Sequence, residues 1–401
     1  MTWKIINHSQ ILTKDSSQRH FYNKPGKKMD RLCKKYCVFF ILMILYNFAN
    51  AESIELGMST SLSGPNQLLG REMYQGMNAF FNKINQQGGI HGQMINLTVL
   101  DDGYEPDSVI ANINKLIDQH NVIAIVGNAG TPTAAIAAPM ANARGIVFYG
   151  AFTGADLLRK TPSEPYIFNF RASYRQEMEV IVQDILDRGI SPFRIALFLQ
   201  DDSLGQAGYD ITKAALEKFG FNQIDQLLLT RYPRNSLAIQ GAINAMIHAS
   251  PEPEAIIIVG AYQPAAQFIR FSHRIFPNTR FYNLSFSAAY LLANALPGIH
   301  GRVYMTQVVP PAETYSEEQN FIWREGYLAA QVLVKALKSI SGNINSDSLK
   351  LALEALGSFN LEDFGTVTFG ANDHQASDHV WLTHLDKTRK WNRVKVAGES
   401  D

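Results

Sequence analysis

The loop "VGNAGTPTAA", residues 126–135, closes an apolar run and opens into small, helix-compatible residues. A glycine-rich turn of this kind offers backbone N–H groups at a helix N-terminus, where the dipole favours an anion. A phosphate loop needs G-x-x-x-x-G-K-[ST], and a dinucleotide turn needs G-x-G-x-x-G. The stretch has neither, and no Lys or Arg follows it. A small carboxylate matches the offer better than a triphosphate. A structural reading also stands, with Thr131 as the N-cap and Pro132 as the first helical residue. Both can hold, because capping and ligand binding use different N–H groups.

Two other groups invite a chemical reading. His374, His379 and His384 stand five apart beside Asp373 and Asp378. That spacing leaves one helical face and alternates sides in a strand, so loop and strand-edge histidines are expected and no metal site. Ser, His and Asp all occur, but no G-x-S-x-G elbow follows a strand and no H-E-x-x-H is present. The candidate loops offer Thr and Tyr without a neighbouring base, so no catalytic residue and no cofactor are expected. Phe321, Tyr327 and Leu328 recur at helical spacing and read as core contacts. The sequons at Asn96 and Asn283 fall within expected strands.

The 401 residues carry no formal net charge, but that balance mixes two regions. Residues 29–51, "MDRLCKKYCVFFILMILYNFANA", combine a basic start, a short apolar run and small residues at Ala49 and Ala51. This predicts a cleavable signal peptide cut after Ala51, with Met29 as a candidate translation start beside Met1. Cys33 and Cys37 both lie in that segment, so the exported chain has no disulfide. From residue 52 onward there are 27 basic and 34 acidic residues, a net charge of −7, which argues against a nucleic-acid partner.

The exported part alternates two periods. Apolar runs at 54–58, 94–102, 122–127 and 145–150 predict strands, separated by helices over 70–85, 107–120 and 133–143. After "SEPYIFNFRAS" the alternation restarts. Helices are expected over 176–188, 205–219, 237–249 and 264–275, with strands at 194–200, 224–232, 255–260 and 280–285. Helices over 317–339 and 346–356 and the strands "GTVTFG" and "HVWLTHL", read as a pair, end the chain. The pattern predicts an α/β protein with two Rossmann-like lobes, each a doubly wound parallel sheet. Ligands of such sheets bind beyond the carboxyl ends of the strands, at a switch point. That nominates the loops at 61–69, 127–131, 150–154, 200–205 and 260–263.

The ordered segments "SLSGPNQLLG", "YQGMNAFFNKINQQGGIHGQMINLTVLDDGYEP", "AIVGNAGTPTAAIAAP", "FYGAFTGADLL", "FRASYRQE", "DDSLGQAG", "VVPP" and "REGYLAAQVLVKAL" resemble the periplasmic type I solute-binding proteins, in the branch of the leucine/isoleucine/valine-binding protein. The resemblance implies two lobes joined by a three-strand hinge, residues 52–170 plus 310–358 and residues 171–309 plus 359–401, closing on a ligand in the cleft. It implies contacts from Ala129, Gly130, Thr131, Ala151 and Thr153 to the ligand carboxylate, with Thr153 offering hydroxyl and N–H. Leu69 and Leu204 occupy cleft positions where the family often has aromatics, and Tyr262 closes from the second lobe. It further implies a periplasmic location and a small-molecule ligand, with an ABC permease of the inner membrane as partner. A membrane signalling partner is the alternative. One departure bears on the ligand: no acidic residue follows the "RFYNLS" strand to pair an α-ammonium, leaving Asp202 or Asp102 to substitute.

Overall fold

The computed structural model describes residues 53–310 and 320–394, so the expected signal peptide, both cysteines and the start of the 317–339 helix lie outside the described residues. The first half builds β1 (Ile54–Thr60), α1 (Gln67–Gln86), β2 (Ile95–Asp101), α2 (Pro106–Asp118), β3 (Ala124–Val126), α3 (Thr131–Ala143), β4 (Val147–Tyr149) and β5 (Ile167–Phe168). These strands form a parallel sheet in the order β2-β1-β3-β4-β5. Alternation along the strands sends Ile125, Phe148 and Ile167 to one face, against Val109, Ile113 and Ala137 of α2 and α3. Ala124, Val126, Val147 and Tyr149 join the main core on the other face.

The second half builds α4 (Tyr174–Asp187), β6 (Ile195–Asp201), α5 (Ser203–Lys218), β7 (Leu228–Pro233), α6 (Gln240–Ile247), β8 (Ala255–Val259), α7 (Tyr262–Ile275), β9 (Arg280–Asn283), α8 (Ala289–Asn294) and β10 (Val303–Gln307). The chain then continues through α9 (Phe321–Ser339), α10 (Ser346–Glu354), β11 (Gly357–Leu361), β12 (Gly365–Phe369), β13 (Trp381–Leu385) and β14 (Trp391–Arg393). The second sheet runs β14-β13-β10-β9-β8-β6-β7. Its strands are parallel except β13 and β14, which pair antiparallel at one edge. Helix α9 returns to the first sheet and lies against α1, so closely that a Cβ on Gly76 would stand 1.9 Å from the Trp323 carbonyl oxygen.

Two expectations change here. The strands "GTVTFG" and "HVWLTHL" do not pair: β12 forms a hairpin with β11, while β13 pairs with β10 and β14. Helix α3 is capped by Gly130, and Thr131 is its first residue. The reason lies in the backbone at Gly130 and in a ring from another loop. Gly130 has φ +102, a left-handed conformation that suits glycine, and a Cβ there would stand 2.1 Å from the Tyr104 ring.

Candidate functional site

Both sheets share one topology. In the first, strand order reverses between β1 and β3; in the second, between β6 and β8. The carboxyl ends of those strands therefore mark the two switch points, where doubly wound sheets bind ligands. The loops there are the glycine-rich ones the sequence nominates.

In the first sheet the loops after β3 and β4 are stitched together. Ala129 bridges to Phe152, the Phe152 N–H donates to the Asn128 carbonyl at 2.7 Å, and the Gly130 N–H donates to the Phe152 carbonyl at 3.2 Å. This brings Ala129, Gly130, Thr131, Ala151 and Thr153 together, all buried. The Thr131 and Thr153 hydroxyls lie 2.7 Å apart. Thr153 spends its N–H on the Ala151 carbonyl at 2.8 Å, so its hydroxyl is the group it offers. Leu69 sits in the first turn of α1, fully buried in the core.

In the second sheet, Leu204 is buried in the first turn of α5 and Tyr262 opens α7. Asp202 caps α5 by accepting from the Leu204 N–H at 2.9 Å. Tyr232 ties the two loops together: its hydroxyl accepts from the Ala261 N–H at 2.9 Å and donates to Gln200 Oε1 at 3.0 Å. A Cβ on Gly260 would stand 2.2 Å from that hydroxyl.

The two sets of loops touch. Gln200 Nε2 donates to the Tyr104 hydroxyl at 3.1 Å, and the Tyr104 ring covers Gly130. Burial holds the Tyr104 hydroxyl well above its ordinary acidity range, so it stays protonated. Phe286, from the segment after β9, stacks with Tyr104 at 6.2 Å and lies 5.6 Å from Phe152. Nearer the surface, Asn66 Nδ2 donates to Asn235 Oδ1 at 2.8 Å, and Asn235 Nδ2 donates to Glu105 at 2.6 Å. Arg234 pairs with the same Glu105 at 2.7 Å. The loops of the two sheets thus face one another in contact.

The carboxylates that could take an ammonium are engaged elsewhere. Asp102 accepts from Ser59 Oγ at 3.0 Å and the Tyr104 N–H at 2.9 Å, and burial pushes it up to about 6. Asp202 caps α5, accepts from Gln200 Nε2 at 2.7 Å and pairs with Arg234 at 3.4 Å. Glu177, on α4, accepts from the Ser285 N–H at 2.8 Å, the Ser285 hydroxyl at 2.9 Å and the Thr306 hydroxyl.

Sequence reasoning passes over Tyr104, Tyr232 and Phe286, and places Phe152 and Gln200 only within nominated loops. Tyr104 lies inside "DDGYEP" and adopts φ +63, which the sequence alone does not reveal. Of the three histidines, His374 and His379 lie in loops and His384 lies within β13, opposite Tyr304 and Asn392. His374 stacks on Phe168 at 4.0 Å, and its Nδ1 lies 2.9 Å from the Ile167 carbonyl.

A family model described as periplasmic binding protein matches residues 53–390. A solved structure, a possible leucine/isoleucine/valine-binding protein from Rhodopirellula baltica SH 1, superposes with a TM-score of 0.81 at 35% identity, covering 86% of this chain and 97% of that one. The Leu/Ile/Val-binding protein homolog 7 of Brucella abortus (strain 2308) is 23% identical over 341 residues, 76% of this chain and 81% of that relative. An amino acid binding protein of Pseudomonas aeruginosa is 27% identical over 193 residues, a match spanning 48% of this chain and 51% of that relative. With two α/β sheets whose switch-point loops meet and a family match along nearly the whole described chain, this protein belongs to the type I periplasmic binding proteins of the leucine/isoleucine/valine-binding family, a family of solute-binding proteins.

Proposed function

We propose that the protein is the solute-capturing component of an ABC importer, working in the periplasm after removal of residues 1–51. Two lobes, residues 52–170 plus 310–358 and residues 171–309 plus 359–401, close by a hinge on a small carboxylate-bearing, amino-acid-like solute and present the closed form to an inner-membrane permease. The observation that carries this reading is the Thr131–Thr153 hydroxyl pair at the first switch point. The bond from Gln200 to Tyr104 links the loops of the two sheets. Closure stabilises only a ligand that both loop sets contact, so selectivity follows from differential affinity for the closed form. Ala129, Gly130, Ala151, Leu69 and Leu204 shape the walls, and Tyr262 closes from the second lobe.

The test is a thermal-shift screen of residues 52–401 against amino acids, their amides, short-chain acids and aromatic acids. A ligand in hundredfold excess over its dissociation constant adds about 2.7 kcal/mol of stability. A clear rise in Tm with one class is expected; no shift with any small acid, amide or amino acid would contradict solute capture.

A further inference from the structure

Charge is not spread evenly over the chain. From residue 52 onward the net charge is −7, yet no Asp or Glu occurs between Glu254 and Glu313. That stretch carries four arginines and no lysine, and it builds β8, α7, β9, α8 and β10 of the second sheet. Helix α7 turns Ala265, Phe268, Ile269 and Ser272 into the core. Its opposite side is unusual for a solvated face. Gln263, Gln267, Arg270, Phe271 and Arg274 follow helical spacing along one stripe. Together with Leu237 and Ala295 they line a groove of about 550 Å3, and none of its lining residues is acidic.

Both the charge and the apolar surface of that stripe are unfavourable in an isolated molecule. Arg270 and Arg274 stand one helical turn apart, where like charges repel. Among the described residues, neither pairs with a carboxylate. The helix dipole accounts for His273 and Arg274 in the last turn of α7. It does not account for Arg270, a turn earlier, or for the apolar side chains beside it. Leu237 and Phe271 are each 49% exposed, and Ile275 is 42% exposed. Leu237 also stands two positions after Asn235, whose Nδ2 donates to the Gly103 carbonyl at 3.2 Å and to Glu105 at 2.6 Å. One rim of the groove therefore begins where the loops of the two sheets meet.

We propose that this groove docks a segment of another protein, and that the segment is acidic with apolar side chains between its carboxylates. The inference concerns a protein partner and stands apart from the identity of the solute. Charge complementarity sets the sign, because two exposed arginines in an acid-free groove lack a counter-charge from their own chain. An exposed guanidinium fork takes a carboxylate through two parallel N–H bonds. Arginine beside an aromatic side chain, without lysine, is the composition of a protein interface. Surfaces that hold anionic lipid instead carry clusters of about four to eight Lys and Arg. Phe271 and Leu237 supply the apolar anchors. Because the Leu237 side is tied to Asn235, a seated partner meets a surface that both sets of loops position.

The experiment puts photoreactive p-benzoylphenylalanine in place of Phe271 in the full chain, in the cells that make it, and sequences whatever peptide is joined to it on irradiation. The expected product is one partner segment with several Asp or Glu among apolar residues. Arg270→Glu combined with Arg274→Glu sets like charges against that segment and should lower the yield about tenfold or more. Both side chains are exposed, so the Tm of this double variant should stay within about 2 °C of the parent. Should it not fold, Arg270→Gln with Arg274→Gln decides, with a smaller loss expected. The same label in place of Leu351, 61% exposed on α10, controls for general apolar adhesion and should not give that product. No product from position 271, label found on lipid, a partner segment without acids, a yield that survives charge reversal, or the same product from position 351 would each overturn the assignment.

Discussion

Thr153 and Tyr262 represent the two sides of the proposed site at the scale of single residues. Thr153 reaches it through its hydroxyl, already matched to Thr131 at 2.7 Å, and Tyr262 sits 8% exposed at the start of α7. Removing either contact should weaken solute binding without unfolding the chain. A hydrogen bond to a charged group contributes about 1.5–3 kcal/mol, so Thr153→Ala should lower affinity roughly tenfold or more. Tyr262→Ala should do so through lost packing as well. Calorimetric titration of both variants checks this, and unchanged affinity for both would remove these residues from the site. A second residue-scale consequence concerns Glu325. Its folded pKa of about 7 exceeds the ordinary value of 4.5. The native state therefore holds that proton more tightly than the unfolded chain, and the contribution to stability falls as pH rises from about 4.5 to 7. Asp102, pushed from 3.8 to about 6, acts in the same direction over a lower window. Glu325→Gln should thus gain Tm relative to the parent more at pH 8 than at pH 5. A Tm difference that does not change with pH would show that Glu325 stays ionised in the fold.

The elements were largely legible because their signals are local. The 3.6-residue spacing of Met73, Met77, Phe81 and Ile84 marks α1, and continuous runs such as "AIIIVG" mark strands covered on both faces. What was not legible depends on distant partners. Pairing of β12 with β11 rather than β13 is set by a tight hairpin and by the edge of the second sheet, neither of which apolar periodicity encodes. Arg171 reads in sequence as a polar residue at the end of an apolar strand. Its burial follows from Glu177 and Glu325, six and 154 positions further along the chain. The glycine-rich turn between β3 and α3 was legible, but its cap was not, because Gly130 answers to the Tyr104 ring from another loop. That contact makes an element-scale prediction. Gly130→Ala combines a left-handed φ with a clash against a buried ring, and should cost about 2 kcal/mol or more by urea unfolding. A variant as stable as the parent would mean that the loop and Tyr104 can separate freely.

In the proposed reading the whole molecule works by bringing the two sheets' loops together. Asn235 is a useful probe of that event, since its side chain bonds Asn66, Gly103 and Glu105 from the first sheet's loops. These are partly exposed polar bonds, so Asn235→Ala should leave the cores intact. It should bias the protein away from the closed form by about 1 kcal/mol, lowering apparent affinity roughly fivefold with little change at the ligand itself. Equal affinity in stopped-flow and equilibrium titrations of variant and parent would show that these bonds do not contribute to closure. The central claim, that a small solute is captured by closure between the two switch points, is tested most directly by small-angle scattering of residues 52–401 with and without a solute that binds in the thermal screen. The account predicts a smaller radius of gyration at saturation, reversed when the solute is removed. Identical scattering curves for the free and saturated protein would contradict it.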